Sequence, residues 1–245
     1  VRKEYGHGEI YHTTLINKLF CLLLNKFASL DPFGVGIEME SDKPNWFDSL
    51  NGLPALFGSS LCETLELKRL TIFIKESISL CAVKEVCLAE EFSQLINSLS
   101  ELTKDYLNNK ESSDFQWWDM AHALKEEFRK KTEFGISGKE ITVSCTELLD
   151  SIDIILRKID LGIDRAWDKK NKLYHGYFIH EVIDFKKIKD NFIKPLSFRQ
   201  VPLPLFLEPQ VHAMRIINDS KKAKELYCSV RKSGLYDKKL GMYKV

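Results

Sequence analysis

The chain has 245 residues, 36 Lys and Arg against 35 Asp and Glu, a formal charge of +1 and 44% hydrophobic residues. That length and apolar content suffice for a sizeable core in one or two domains, and the near-neutral balance gives no electrostatic reason to expect nucleic acid or an anionic membrane as partner. No apolar run approaches the roughly 20 residues of a membrane span, because Leu19 to Leu24 is broken at once by Asn25 and Lys26, so the chain reads as soluble.

Thr13 to Leu30 repeats apolar residues at helical spacing (Leu15, Ile16, Leu19, Phe20, Leu23, Leu24, Phe27), and Asp31-Pro32 stops it. Asp31 to Ser60 then has no helical periodicity, yet it carries five carboxylates, a Trp and many apolar residues. A long loop of this kind inside a compact domain is usually functional or disordered, and its apolar content argues against disorder. Ser60-Leu-Cys-Glu63 has the form of a capping box opening a helix to about Leu80. Further helices are predicted over Val83 to Leu107, Phe115 to Lys131, and from the Ser144-Cys-Thr-Glu147 cap to about Trp167. Leu173 to Phe185 (LYHGYFIHEVIDF) is aromatic and β-branched with partial alternation, the pattern of a strand or hairpin. Val201 to Pro209 holds three prolines and can be neither helix interior nor central strand. Helix returns over Gln210 to Ile217 and Ser220 to Lys232, with Gly234 as a stop.

Six cysteines (Cys21, Cys62, Cys81, Cys87, Cys145, Cys228) form no C-x-x-C pair and have no companion His at zinc-ligand spacing. They read as reduced structural thiols of a cytoplasmic protein rather than a disulfide set. No metal site is expected from this pattern.

Chemistry is sought first at Trp46 and Asp48. An aromatic face stacks on the apolar face of a pyranose, and a carboxyl two residues away can reach a glycosidic oxygen. To act as a general acid it must be kept protonated, by burial or by neighbouring negative charge such as Glu38, Glu40 and Asp42. Trp46 as core and Asp48 as a cap or turn residue is the competing reading.

The run GIEMESDKPNWFDSLNG resembles the catalytic-acid loop of cellobiose and cellodextrin phosphorylases and related inverting glycoside phosphorylases, which ends in a W-N-D-G-M-N-like motif. Trp46, Asp48 and Asn51 match it, whereas Phe47, Ser49 and Leu50 replace its Asn, Gly and Met. KPNWFDSLNGLPALFGSSLCETLEL, FQWWDMAHALKEEFR and IKPLSFRQVPLPLFLEPQVHAMR are similar to bacterial proteins labelled cellobiose-phosphorylase-like. The resemblance implies a mainly α fold, part of an (α/α)6 barrel with a small β-hairpin insertion. A full double ring of twelve helices needs roughly 350–450 residues, so residues 1–245 are expected to be the central piece of a larger catalytic domain, with the strand-like and proline-rich insertion at 173–209.

The implied activity is inverting phosphorolysis of gluco-oligosaccharides, with Asp48 as acid and Trp46, Asn51, Glu38 and Glu40 on the sugar. Phosphate is itself the nucleophile, so no metal or organic cofactor is required and inorganic phosphate is the co-substrate. The family also implies a homodimer. An inverting hydrolase would need a second carboxylate on the order of 6.5–9.5 Å from the first, for which Glu181 and Glu208 are candidates. Arg199, His212 and Arg215 are chemically suited to phosphate, though anchoring a loop would use them equally well. A non-catalytic carbohydrate-binding helical domain is the third reading.

Overall fold

The structure is a computed structural model that describes residues 1–39, 58–81, 83–109, 113–189 and 192–244. Within them the helices are α1 (Leu15–Phe27), α2 (Leu61–Leu80), α3 (Glu90–Asn108), α4 (Asp114–Lys131), α5 (Cys145–Arg165), α6 (Glu208–Met214) and α7 (Ser220–Lys232). The longer strands are β3 (Glu85–Ala89), β4 (Glu140–Ser144), β7 (Tyr177–Lys187) and β8 (Ile193–Pro202). Shorter ones are β1 (Ile37–Glu38), β2 (Gly58–Ser60), β5 (Trp167–Asp168), β6 (Leu173–Tyr174), β9 (Tyr236–Asp237) and β10 (Met242–Tyr243). None of these helices is long and apolar enough to cross a membrane.

The strands form four antiparallel sheets, one of order β1-β2-β7-β8 and three two-stranded ones. This mixed α/β fold corrects the expectation of part of an (α/α)6 barrel. The helical rings of such a barrel would have to run on through the stretches that here break into strand pairs. β3 shows why the sequence misleads. Glu-Val-Cys-Leu-Ala abuts the first residue of α3, so its alternation is too short to separate from the following helical pattern. Its partner β4 lies more than fifty residues away, in register from Glu85↔Ser144 to Ala89↔Glu140.

The chain divides into two compact units, residues 1–29 with 70–158, and residues 30–69 with 159–245. In the first, Phe20, Leu23, Leu24 and Phe27 of α1 are fully buried at helical spacing. Asn17 donates its amide to the Cys87 carbonyl at 2.9 Å and accepts from the Ala89 N–H at 2.9 Å, which fixes α1 to β3. Trp117 is buried edge-on to Phe27 and donates its indole N–H to Thr103 at 3.1 Å. Lys158 is also buried, its ammonium 3.7 Å from the Tyr106 ring centroid, 4.5 Å from that of Trp117 and 3.5 Å from Asp114. Two aromatic faces and a carboxylate offset the cost of removing that charge from water.

The second unit is built on the four-stranded sheet. Its outer hairpin pairs Phe178 with Pro202 through Lys187 with Ile193, with register shifts around Asp184. α5 approaches the turn before β1 so closely that a Cβ on Gly162 would lie 1.8 Å from the Gly34 carbonyl oxygen. Gly34 itself has φ +66°, the left-handed region suited to glycine. Gly162→Ala is therefore expected to destabilise the protein by about 1–3 kcal/mol or more. Gly234→Ala, with no atom within 4 Å of the added methyl, is expected to be neutral within about 0.5 kcal/mol. Urea unfolding of the two variants against wild type measures the difference.

Candidate functional site

Trp46, Asp48, Asn51 and Glu40 lie outside the described residues, but the structure fixes both ends of the segment that carries them. Ile37 and Glu38 pair with Ser60 and Ser59, and the Met39 N–H donates to the Gly58 carbonyl at 3.1 Å. β2 continues into the sheet through Gly58↔Ile179, Ser59↔Phe178 and Ser60↔Tyr177. Glu38, the other loop carboxylate proposed for sugar binding, is half-buried in β1.

Upstream, the turn at 31–36 is organised by one carboxylate. Asp31 is fully buried. Its Oδ1 accepts from the N–H groups of Phe33 at 2.9 Å and Val35 at 3.0 Å. Its Oδ2 accepts from the Gly36 N–H at 2.8 Å, the Ser59 hydroxyl at 2.6 Å and the Gln200 amide at 3.1 Å. His180 Nε2 lies 3.5 Å from Oδ2, and its ring stacks on Phe33 at 6.0 Å between centroids. Burial pushes the Asp31 carboxyl up, but hydrogen bonding and charge from His180 and the bonds from Ser59 and Val35 outweigh it, leaving the pKa below its ordinary value.

Downstream, Met39 packs with Leu203 and Phe206 against buried Cys62 and Tyr177. Cys62 lies in the first turn of α2, and its thiol is 3.8 Å from the Tyr177 hydroxyl. That hydroxyl makes a short hydrogen bond to Glu208 Oε2. Glu208 and His212, four residues apart on α6, share one helix face, with His212 Nε2 3.9 Å from Glu208 Oε1. The other ring nitrogen, Nδ1, lies 2.8 Å from Glu66 Oε1. Beside a carboxylate it must carry the proton and donate it. Arg215 Nη1 donates to the same oxygen at 3.2 Å, and Arg69 pairs with Oε2 at 2.6 Å. Burial acts to raise the Glu66 pKa, but the bonds from His212, Arg69 and Arg215 hold it below the usual carboxylate range. Burial first, then the charge of Glu208, push the Cys62 thiol up to about 12, so it is no nucleophile at neutral pH.

Three residues singled out from sequence, Glu208, His212 and Arg215, are thus brought together. Cys62 and Glu66 join them without any sequence signal beyond the helical spacing of 62 and 66. Glu181 and Arg199 are not part of this cluster: they face each other across β7 and β8 as an exposed pair, with Arg199 Nε 2.8 Å from Glu181. A cavity of about 1300 Å³ in the same unit is lined by Lys68, Asp160, Trp167, Tyr174 and others. It contains none of the cluster residues, and Lys68 and Asp160 within it already pair at 2.7 Å. The cluster is the stronger candidate, because Met39, the residue before segment 40–57, packs on Cys62 and Tyr177 and the cluster holds chemically active groups at close range. Comparison with known protein families and with curated proteins finds no match.

A group whose folded pKa is depressed contributes stability above its unfolded pKa, about 3.9 for Asp, and that stability is lost as pH falls through the folded value. Wild-type stability is accordingly expected to drop below about pH 4. Asp31→Asn should cost on the order of 3 kcal/mol at pH 7, because an amide presents a donor to donors. It should also flatten the acid dependence. Urea midpoints of both proteins across this range provide the check.

Proposed function

We propose that the chain carries the acid-bearing segment of a carbohydrate-active enzyme that cleaves gluco-oligosaccharides by inverting phosphorolysis. The observation that supports it most is how the residues on either side of 40–57 are held. Met39 and Gly58 close the segment by a backbone hydrogen bond, and Met39 packs on Cys62 and Tyr177, whose neighbours include His212 and, through Glu66, Arg215. A general acid and nitrogen donors for an anion are what phosphorolysis needs from the protein. The likeness of Trp46, Asp48 and Asn51 to the phosphorylase acid motif adds to this reading.

In the proposed reaction Asp48 gives its proton to the glycosidic oxygen as that bond breaks. An oxygen of inorganic phosphate attacks the anomeric carbon from the opposite face, yielding a sugar 1-phosphate and a shortened sugar. The Arg215 guanidinium, held by Glu66 yet still half-exposed, is the proposed phosphate contact. Trp46 supplies the stacking face, with Glu38, Glu40 and Asn51 on the hydroxyls.

A second reading, inverting hydrolysis, draws on Glu208. Unlike Glu181, it sits in the cluster, oriented by Tyr177, and a hydrolase needs such a base to activate water.

Assay of the full-length protein on α- and β-linked gluco-oligosaccharides, with and without phosphate, separates the two. Phosphate-dependent sugar 1-phosphate is expected, falling about 10²- to 10⁴-fold in Asp48→Asn with the fold intact by circular dichroism. Free sugar made without phosphate would establish hydrolysis instead. Unchanged turnover in Asp48→Asn would remove this residue from the mechanism.

A further inference from the structure

We infer that Cys62, Glu208 and His212 form a zinc site, supplying three protein ligands from among the described residues. One donor atom from each residue lies within 4.8 Å of the other two. A thiol, an imidazole and a carboxylate are the donor set that suits a borderline-soft divalent cation such as zinc. Calcium and magnesium, which take oxygen ligands, are disfavoured by the sulfur and nitrogen.

Two independent features point the donors inward. Glu66 lies 2.8 Å from His212 Nδ1, so the tautomer that donates a hydrogen bond to it carries its lone pair on Nε2, the nitrogen facing Glu208. This is the carboxylate–histidine–metal pattern in which an outer carboxylate fixes tautomer and ring orientation. Tyr177 likewise occupies Glu208 Oε2 and leaves Oε1, the oxygen nearer His212, for the metal. Glu208 and His212 share one face of α6 while Cys62 comes from the start of α2, so the ion would tie the two helices together. Zinc bonds of about 2.0–2.3 Å at tetrahedral angles set donor separations of roughly 3.3–3.6 Å, so the cluster need close by only about an ångström. Cys62 binds as thiolate and its proton leaves to solvent.

The site meets the glycosidic reading at two residues. A Glu208 carboxylate committed to a metal is not free to act as a hydrolytic base, and His212, with Nδ1 on Glu66 and Nε2 on the metal, leaves the phosphate contact to Arg215.

The test uses the full-length protein stripped of metal. Zinc is titrated against a chromogenic chelator, and cobalt is then substituted and its absorption recorded. One equivalent per chain is expected, with a thiolate-to-cobalt charge-transfer band that disappears in Cys62→Ser. Glu66→Gln keeps all three ligands and should weaken zinc about 10- to 100-fold, which serves as the deciding measurement if Cys62→Ser fails to fold. A cobalt band that survives Cys62→Ser, zinc affinity unchanged in Glu66→Gln, or no stoichiometric binding would each overturn the site. Asp48→Asn should bind zinc as wild type does. Metal binding without glycosidic turnover would therefore count against the proposed reaction alone, and turnover without metal binding against the zinc site alone.

Discussion

The buried Asp31 carboxylate is the constraint on which the second unit depends. Its two oxygens receive three backbone N–H groups from the turn at 33–36, together with Ser59 from β2 and Gln200 from β8. An isolated carboxylate in such a place would be strongly unfavourable. With its lone pairs filled it becomes a fixed post to which the turn, β2 and β8 are all attached. The strands beside the candidate site are tied to this arrangement: β1 follows the turn directly and pairs with β2, which carries Ser59.

The neighbouring cluster uses its polar groups differently. Around Asp31, donors converge on one acceptor and are consumed by it. Around Glu66 and Glu208, each carboxylate has one oxygen held by an orienting partner and the other directed toward His212. The first arrangement stores stability. The second holds side chains in defined orientations while leaving groups able to take a ligand, and it does so beside the apolar packing of Met39, Leu203 and Phe206 on Tyr177. A neutral buried thiol completes the group.

Much of the helical content was legible from local pattern. The run from Leu61 to Leu80, the helix over Asp114–Lys131 and the helix over Ser220–Lys232 lie where the sequence places helix, but the Ser60 hydroxyl expected to cap the first of them makes no hydrogen bond among the described residues. The structure adds two caps that the sequence reading did not include, the Ser113 box on α4 and Asp219 on α7, both bonded to backbone N–H groups. The strands were harder. β3 and β4 have five residues each and find their partners across more than fifty residues, and β8 hides behind Pro195 and Pro202, which a hairpin edge tolerates and a helix does not. The resemblance to a barrel family carried the fold too far toward α because it rested on motifs, which do not report what the chain between them pairs with.

The sequence by itself determined roughly where the helices lie, which of their faces are apolar, and that Asp48, Glu208, His212 and Arg215 carry side chains able to serve as an acid, a base or an anion contact. These properties act within one or two turns of chain, so they can be read in order along it. Only the tertiary structure decided that His212 meets Glu66 across 146 residues, that Cys62 faces Glu208 and Tyr177, and that Arg199 is taken up by Glu181. Such meetings depend on how whole elements pack, and no local spacing records them.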